Sequence, residues 1–181
     1  MMTSKGLLLD YDTLESPIGR ILFASNAEGI CALDYAGYES RMEGLLMRRF
    51  GDFTFRHGAD PHQLKRRLQT YFDGELNALD GTAVSMGGTE FQEQVWKALR
   101  EIPVGHTQTY GELAARLGRA QAARAVGHAN ALNPVAIIVP CHRVIGASSA
   151  LTGYAGGLAR KEWLLRHEKS QGTLLSITYT G

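Results

Sequence analysis

Residues 109–130 read TYGELAARLGRAQAARAVGHAN, and this run decides the architecture of the second half of the chain. Thr109-Tyr110-Gly111-Glu112 has the spacing of a capping box, in which the Thr hydroxyl and the Glu carboxylate satisfy the first free amides of a helix. A helix is expected from there to about Leu117. Gly118 makes a turn, and a further helix follows over roughly 121–130. Two short helices joined through a glycine turn are a candidate helix-turn-helix. On a period of 3.6 the second helix turns Ala122, Val126 and Ala129 inward and points Ala123, Arg124 and Gly127 elsewhere. A helix that reads base edges in the major groove ordinarily presents several long polar side chains. This one offers small residues and one cation, which lets its backbone approach a shallow groove while Arg124 reaches into a base stack. An Ala-rich core helix with one solvated arginine fits the pattern equally well.

Before this run, Thr89-Glu90-Phe91-Gln92 is another capping box, leading into a helix with Phe91, Val95, Ala98, Leu99 and Ile102 on its apolar stripe. After it, Leu158 to Glu168 reads as an amphipathic helix. The first third has a different character. Leu7–Leu14, Gly19–Ala24 and Gly29–Tyr35 read as strands of a small antiparallel sheet, punctuated by Ser16-Pro17 and the turn at 26–29. Helices are expected at Glu39–Phe50 and from Pro61 to Phe72, with Leu64, Leu68, Tyr71 and Phe72 on one face of the second. Residues 77–88 connect the halves. The expected organisation is therefore an α/β domain over 1–86 and a mostly helical domain over 87–181.

Composition narrows the class. With 181 residues, 44% hydrophobic and 20% charged, the chain is an ordinary globular one. It lacks an apolar run long enough to span a membrane, its first residues make a poor signal peptide, and a cytoplasmic address is expected. The net charge is +1, but residues 1–87 hold 9 Lys+Arg against 12 Asp+Glu and residues 88–181 hold 10 against 6. That split points to an anionic partner for the second half. Two cysteines, Cys31 and Cys141, are too few for a disulfide framework or a structural zinc site.

Cys141 stands in Pro140-Cys141-His142-Arg143, after the apolar run Val135–Val139, which reads as a buried strand. A free thiol, with a pKa of about 8.5, needs a base or a positive charge to be nucleophilic at neutral pH. In extended backbone neighbouring side chains point to opposite sides, so His142 reaches the Cys141 proton only through a turn or a bridging water. A carboxylate on its other nitrogen would complete a nucleophile–base–acid set. A buried thiol beside a surface histidine is the competing reading. Gly153-Tyr154-Ala155-Gly156-Gly157 lacks the Lys and Ser/Thr of a phosphate-binding loop, and suits a flat ligand lying on backbone amides.

Taken together, residues 138–146 (IVPCHRVIG) resemble the active-site signature of the O6-alkylguanine-DNA alkyltransferases, the methylated-DNA–protein-cysteine methyltransferases. Phe91–Leu99, Thr109–Ala114, Ala122–Gly127 with Asn133-Pro134, and Gly153–Glu168 agree in order and spacing, and Ser16–Gly19 and Tyr71–Gly74 extend the likeness through the first half. The resemblance implies a ribonuclease-H-like α/β domain followed by a helical domain that binds the minor groove of duplex DNA and receives a flipped guanosine. It implies Cys141 as nucleophile, His142 as its base through a water, Glu168 as the group orienting His142, Tyr110 as donor to guanine N3, and Asn133 as the tie between recognition helix and active-site turn. Arg124 is the implied finger, with Ala123, Gly127, Thr109 and Gln121 at the DNA. The carbonyls of Cys141 and Val144, the amide of Ala155, and Tyr154 and Gly156 form the implied base pocket. The alkyl transfer is expected to be stoichiometric and irreversible, by a monomer without cofactor or metal; alkylated thymine as a substrate and cooperative assembly on DNA stay open. The turn 118–121 lacks the family's usual Pro-Gly pair. A non-catalytic module that recognises alkylated DNA and recruits repair factors is the alternative.

Overall fold

The computed structural model describes residues 6–169 and the backbone of Thr178–Tyr179; the very start of the chain, read above for a leader, and most of the tail after Lys169 lie outside the described residues. The chain divides into two compact units, one through Gly87 and one from Gly88.

In the first unit, β1 (Leu7–Leu14), β2 (Ile21–Asn26) and β3 (Gly29–Tyr35) form consecutive antiparallel neighbours. Helix α1 (Glu39–Phe50) then leads to β4 (Phe53–His57), which joins the free side of β1 in parallel, Leu7 opposite Phe53 and Tyr11 opposite His57. The sheet order is β3-β2-β1-β4. The sheet is thus mixed, not antiparallel as the sequence suggested. Only a crossover such as α1 can bring a later strand in parallel to β1, and this edge strand was missed in the sequence reading. Leu9, Leu22, Ala24, Cys31, Ala32, Met42 and Leu46 close the core between sheet and α1. Pro61 lies in a turn rather than in a helix; α2 runs only from Leu64 to Phe72, its first amides capped by the Asp60 carboxylate at 2.8 and 2.9 Å. The segment 83–85 returns to β3, where Ile30 pairs with Val84. Gly29 is required there, because a Cβ would stand 2.6 Å from the Ala83 carbonyl.

The second unit is helical. Both capping boxes form: Thr89 starts α3 (Glu90–Arg100) and Thr109 starts α4 (Tyr110–Arg116). Helix α5 (Ala123–Ala131) begins two residues later than the sequence suggested, and buries Val126, Ala129 and Asn130. The Trp96 indole on α3 donates to the Ala129 carbonyl at 2.9 Å, holding α5 at its C-terminal end. A two-residue parallel pair, β5 (Gln108–Thr109) with β6 (Val144–Ile145), sets the start of α4 beside the segment after Cys141. Beyond lie β7 (Ala150–Leu151), paired with β8 (Thr178–Tyr179), and α6 (Leu158–Lys169), which buries Lys161, Leu164, Leu165 and Glu168 along one stripe. Among the described residues no helix is long and apolar enough to cross a membrane.

Val135–Val139 is not a strand. It is a buried series of turns in which Ile137 has φ +68° and the Val139 amide bonds the Val135 carbonyl at 3.0 Å. Asn133 organises it from within: its side-chain amide donates to the Val139 carbonyl at 2.7 Å, and its oxygen accepts from the Val135 amide at 2.9 Å. An apolar run reveals burial but does not separate a strand from a folded loop.

Candidate active site

The turns deliver Cys141 into a single turn of 3-10 helix, Cys141–Arg143. Consecutive side chains therefore fan around a tight turn instead of alternating, which removes the geometric objection raised by an extended reading. Cys141 is 5% exposed and His142 fully buried. The His142 Nε2 lies 2.8 Å from Glu168 Oε1. Arg143 clamps the same carboxylate, Nε on Oε2 and Nη2 on Oε1, both at 2.9 Å, while its Nη1 donates to the Ile102 carbonyl at 2.6 Å.

The electrostatics follow from this packing. Burial alone would raise the pKa of Glu168, but His142 and the paired Arg143 bonds outweigh it and hold the carboxyl well below its ordinary range. For His142 burial dominates and depresses the pKa; Glu168 pulls upward, Arg143 and Lys161 downward. A charged carboxylate on one side and a neutral ring on the other fix the tautomer. Nε2 carries the hydrogen and donates to Glu168, leaving Nδ1 as an acceptor. Nδ1 is buried and has no hydrogen-bond partner among the described residues. That is the arrangement of a base awaiting a proton.

Tyr110 stands at the first position of α4, half-buried, with its hydroxyl against Gly153 and its ring against Gly127 of α5. Burial and the nearby Cys141 raise its pKa, so it remains a neutral donor, while the Thr152 and Asn130 side chains act in the opposite sense. Asn130 also reaches the Cys141 carbonyl, at 3.4 Å. A Cβ at Gly127 would stand 3.7 Å from the Tyr110 ring, in ordinary van der Waals contact, so the two helices lie close at this point.

Cys141, His142, Glu168, Tyr110 and Asn133 thus come together within the second unit, with buried Val144 following the turn. Tyr154 and Ala155 are half-buried and Gly156 is buried in the loop ahead of α6. Arg124 and Gln121 are exposed, and Ala123 and Gly127 half-buried, on α5 and the turn before it. The Thr109 hydroxyl is engaged on the Glu112 amide at 3.1 Å as a helix cap. Sequence reasoning missed Asn130, the Arg143 clamp and Lys161. The Lys161 signal was available, because 161, 164, 165 and 168 share the i, i+3, i+4, i+7 stripe that α6 buries. Cys31, by contrast, is a buried thiol pushed up to about 11 by burial, a core residue. Among the described residues no three His, Cys, Asp or Glu side chains cluster as a metal site would require.

A buried thiol, a neutral histidine, a fixed carboxylate and a neutral phenol make up a candidate cysteine-centred site within the second unit. Residues 90–170 match the 6-O-methylguanine DNA methyltransferase DNA binding domain, and residues 9–86 match the ribonuclease-like domain of the same family. The methylated-DNA–protein-cysteine methyltransferase of Salmonella typhimurium is 46% identical over 170 residues, covering 90% of this chain and 96% of that one. That of Methanosarcina acetivorans is 48% identical over 160 residues, covering 88% and 98%. The crystal structure of Mycobacterium tuberculosis O6-methylguanine methyltransferase superposes with a TM-score of 0.76 at 43% identity, covering 91% and 95%; a second crystal structure of that organism's protein, in complex with DNA, gives 0.77 at 45%, covering 89% and 93%. The chain belongs to the 6-O-methylguanine DNA methyltransferase family.

Proposed function

We propose that this protein repairs duplex DNA by moving the alkyl group of an O6-alkylguanine onto its own Cys141, once per molecule. The observation that carries the reading is the unpartnered Nδ1 of His142 beside Cys141, on a ring whose other nitrogen is held by Glu168. In the proposed sequence His142 takes the thiol proton through a water. The thiolate sulfur then forms a bond to the alkyl carbon as the carbon–O6 bond breaks. The electron pair passes into the purine, which takes up a proton and leaves as guanine, with Tyr110 donating to N3 as charge develops there. The product on sulfur is a thioether, which no neighbouring group can cleave.

A base inside a duplex is out of reach of so buried a thiol, so the nucleotide has to be extruded. The exposed Arg124 fills its place while Ala123 and Gly127 let α5 lie close to the minor groove, with Thr109 and Gln121 flanking the contact. The carbonyls of Cys141 and Val144 and the Ala155 amide read the base edge, and Tyr154 and Gly156 shape the alkyl pocket. A cytoplasmic, monomeric protein working without cofactor fits this chemistry. With excess duplex bearing O6-methylguanine, lesions lost should plateau at one per protein molecule. Continued turnover would indicate a hydrolase, and lesions bound but never lost would indicate a recognition module.

A further inference from the structure

Asn130 sits one turn beyond Gly127 on α5, on the flank of that helix which meets Tyr110, and only 4% of it is exposed. Its Nδ2 donates to the Cys141 carbonyl at 3.4 Å, and its side chain also bears on the Tyr110 hydroxyl. Both neighbours call for a donor. A carbonyl has no hydrogen to give, and the single phenolic hydrogen is the one assigned above to guanine N3. These contacts fix which end of the amide points where, and they use its nitrogen. The oxygen is left over: Oδ1 is buried and has no hydrogen-bond partner among the described residues. An unsatisfied buried carbonyl is costly and uncommon in folded proteins, so it marks a place where a ligand's donor belongs.

The alkylated base has one donor group to offer. With an alkyl on O6, guanine N1 carries no hydrogen, N3 and N7 are acceptors, and N9 is bonded to the sugar. The N–H hydrogens that remain are those of the 2-amino group, which lies beside N3, the atom assigned to Tyr110. We infer that Asn130 is a specificity-determining residue whose Oδ1 accepts a hydrogen bond from the 2-amino group of the flipped base, selecting alkylated guanine over purines without that group. This rests on the alkyl-transfer reading, which supplies the base, and adds a side-chain acceptor to the backbone carbonyls named above. The amine has two hydrogens, so one faces the carbonyls of the Cys141 turn while the other faces Asn130.

Single-turnover methyl transfer from two duplexes tests this, one bearing O6-methylguanine and the other O6-methylhypoxanthine, which differs only in lacking the 2-amino group. Asn130→Leu keeps the size of the side chain and removes the acceptor. It should slow transfer from methylguanine about tenfold more than transfer from methylhypoxanthine, the loss expected of one hydrogen bond. Releasing the Cys141 carbonyl slows both alike, so the difference between the duplexes isolates the contact with the base. Asn130→Asp returns an acceptor and should restore the preference for methylguanine, whatever its absolute rate. Equal slowing on the two duplexes by a folded Asn130→Leu protein would overturn the inference. Should that variant not fold, a crystal structure of Cys141→Ala protein bound to the methylguanine duplex decides the matter. Oδ1 is expected within about 3.2 Å of the 2-amino nitrogen, and an Oδ1 that meets no atom of the base would overturn the assignment. Wild-type protein that accepts a methyl from neither duplex would instead contradict the alkyl-transfer reading, and the inference would fall with it.

Discussion

At the residue scale the site is governed by which groups keep their charge once buried. Glu168 stays ionised because His142 and Arg143 bracket it, and His142 stays neutral because burial outweighs the carboxylate. Both folded-state pKa values lie below their unfolded ones, so the unfolded chain binds more protons as pH falls. Stability from His142 is present above about pH 6.5 and is lost below it, and that from Glu168 is lost below about pH 4.3. Urea melts of the wild-type protein should shift to lower midpoints from pH 7 to pH 5, and His142→Asn should flatten that slope; an equal slope in both would place the effect at other histidines. Glu168→Gln leaves Arg143 buried without its counter-charge and should cost roughly 3–5 kcal/mol, read from the same melts. The resemblance had already implied Glu168 as the group orienting His142, and the two meet. What was not legible is the Arg143 clamp on the same carboxylate, which joins residues twenty-five positions apart, a distance no local pattern spans.

At the scale of elements, sequence served well where local chemistry decides the outcome. Both capping boxes formed at Thr89 and Thr109. On α5 Val126 and Ala129 are buried and Arg124 exposed as the 3.6 period requires, whereas Ala122 precedes the helix and is only half-buried, and Asn130 joins the buried face. It failed where long-range pairing decides. Phe53–His57 became an edge strand only because β1 had a free side, and Val135–Val139, rich in β-branched residues, folded into turns because Asn133 satisfies the backbone from inside. A β-branched residue at φ +68°, as Ile137 is, contradicts every local propensity and needs such a clamp. Asn133→Ala should destabilise the protein by about 1–3 kcal/mol and make Cys141 react less uniformly, both measurable by denaturation and thiol kinetics. A neutral result would mean that the loop holds its own shape. On α5, Arg124→Ala should weaken repair of duplex lesions far more than reaction with free O6-alkylguanine, since a free base needs no extrusion; equal losses would assign Arg124 to the fold.

For the whole molecule, the two units carry opposite charge balances, and the site, the candidate recognition helix and the excess of basic residues all belong to the second. Family membership extends this picture over both units, since matches cover 9–86 and 90–170 alike. What separates a repair protein from a passive reader of damage is whether the buried thiol ends as a thioether. Incubation with duplex DNA containing a single O6-methylguanine, followed by intact-protein mass measurement and peptide mapping, decides this directly. The account predicts one methyl gained per protein, located on Cys141 and absent from Cys141→Ala. An unmodified wild-type protein beside intact lesions, or a methyl found on any other residue, would contradict it.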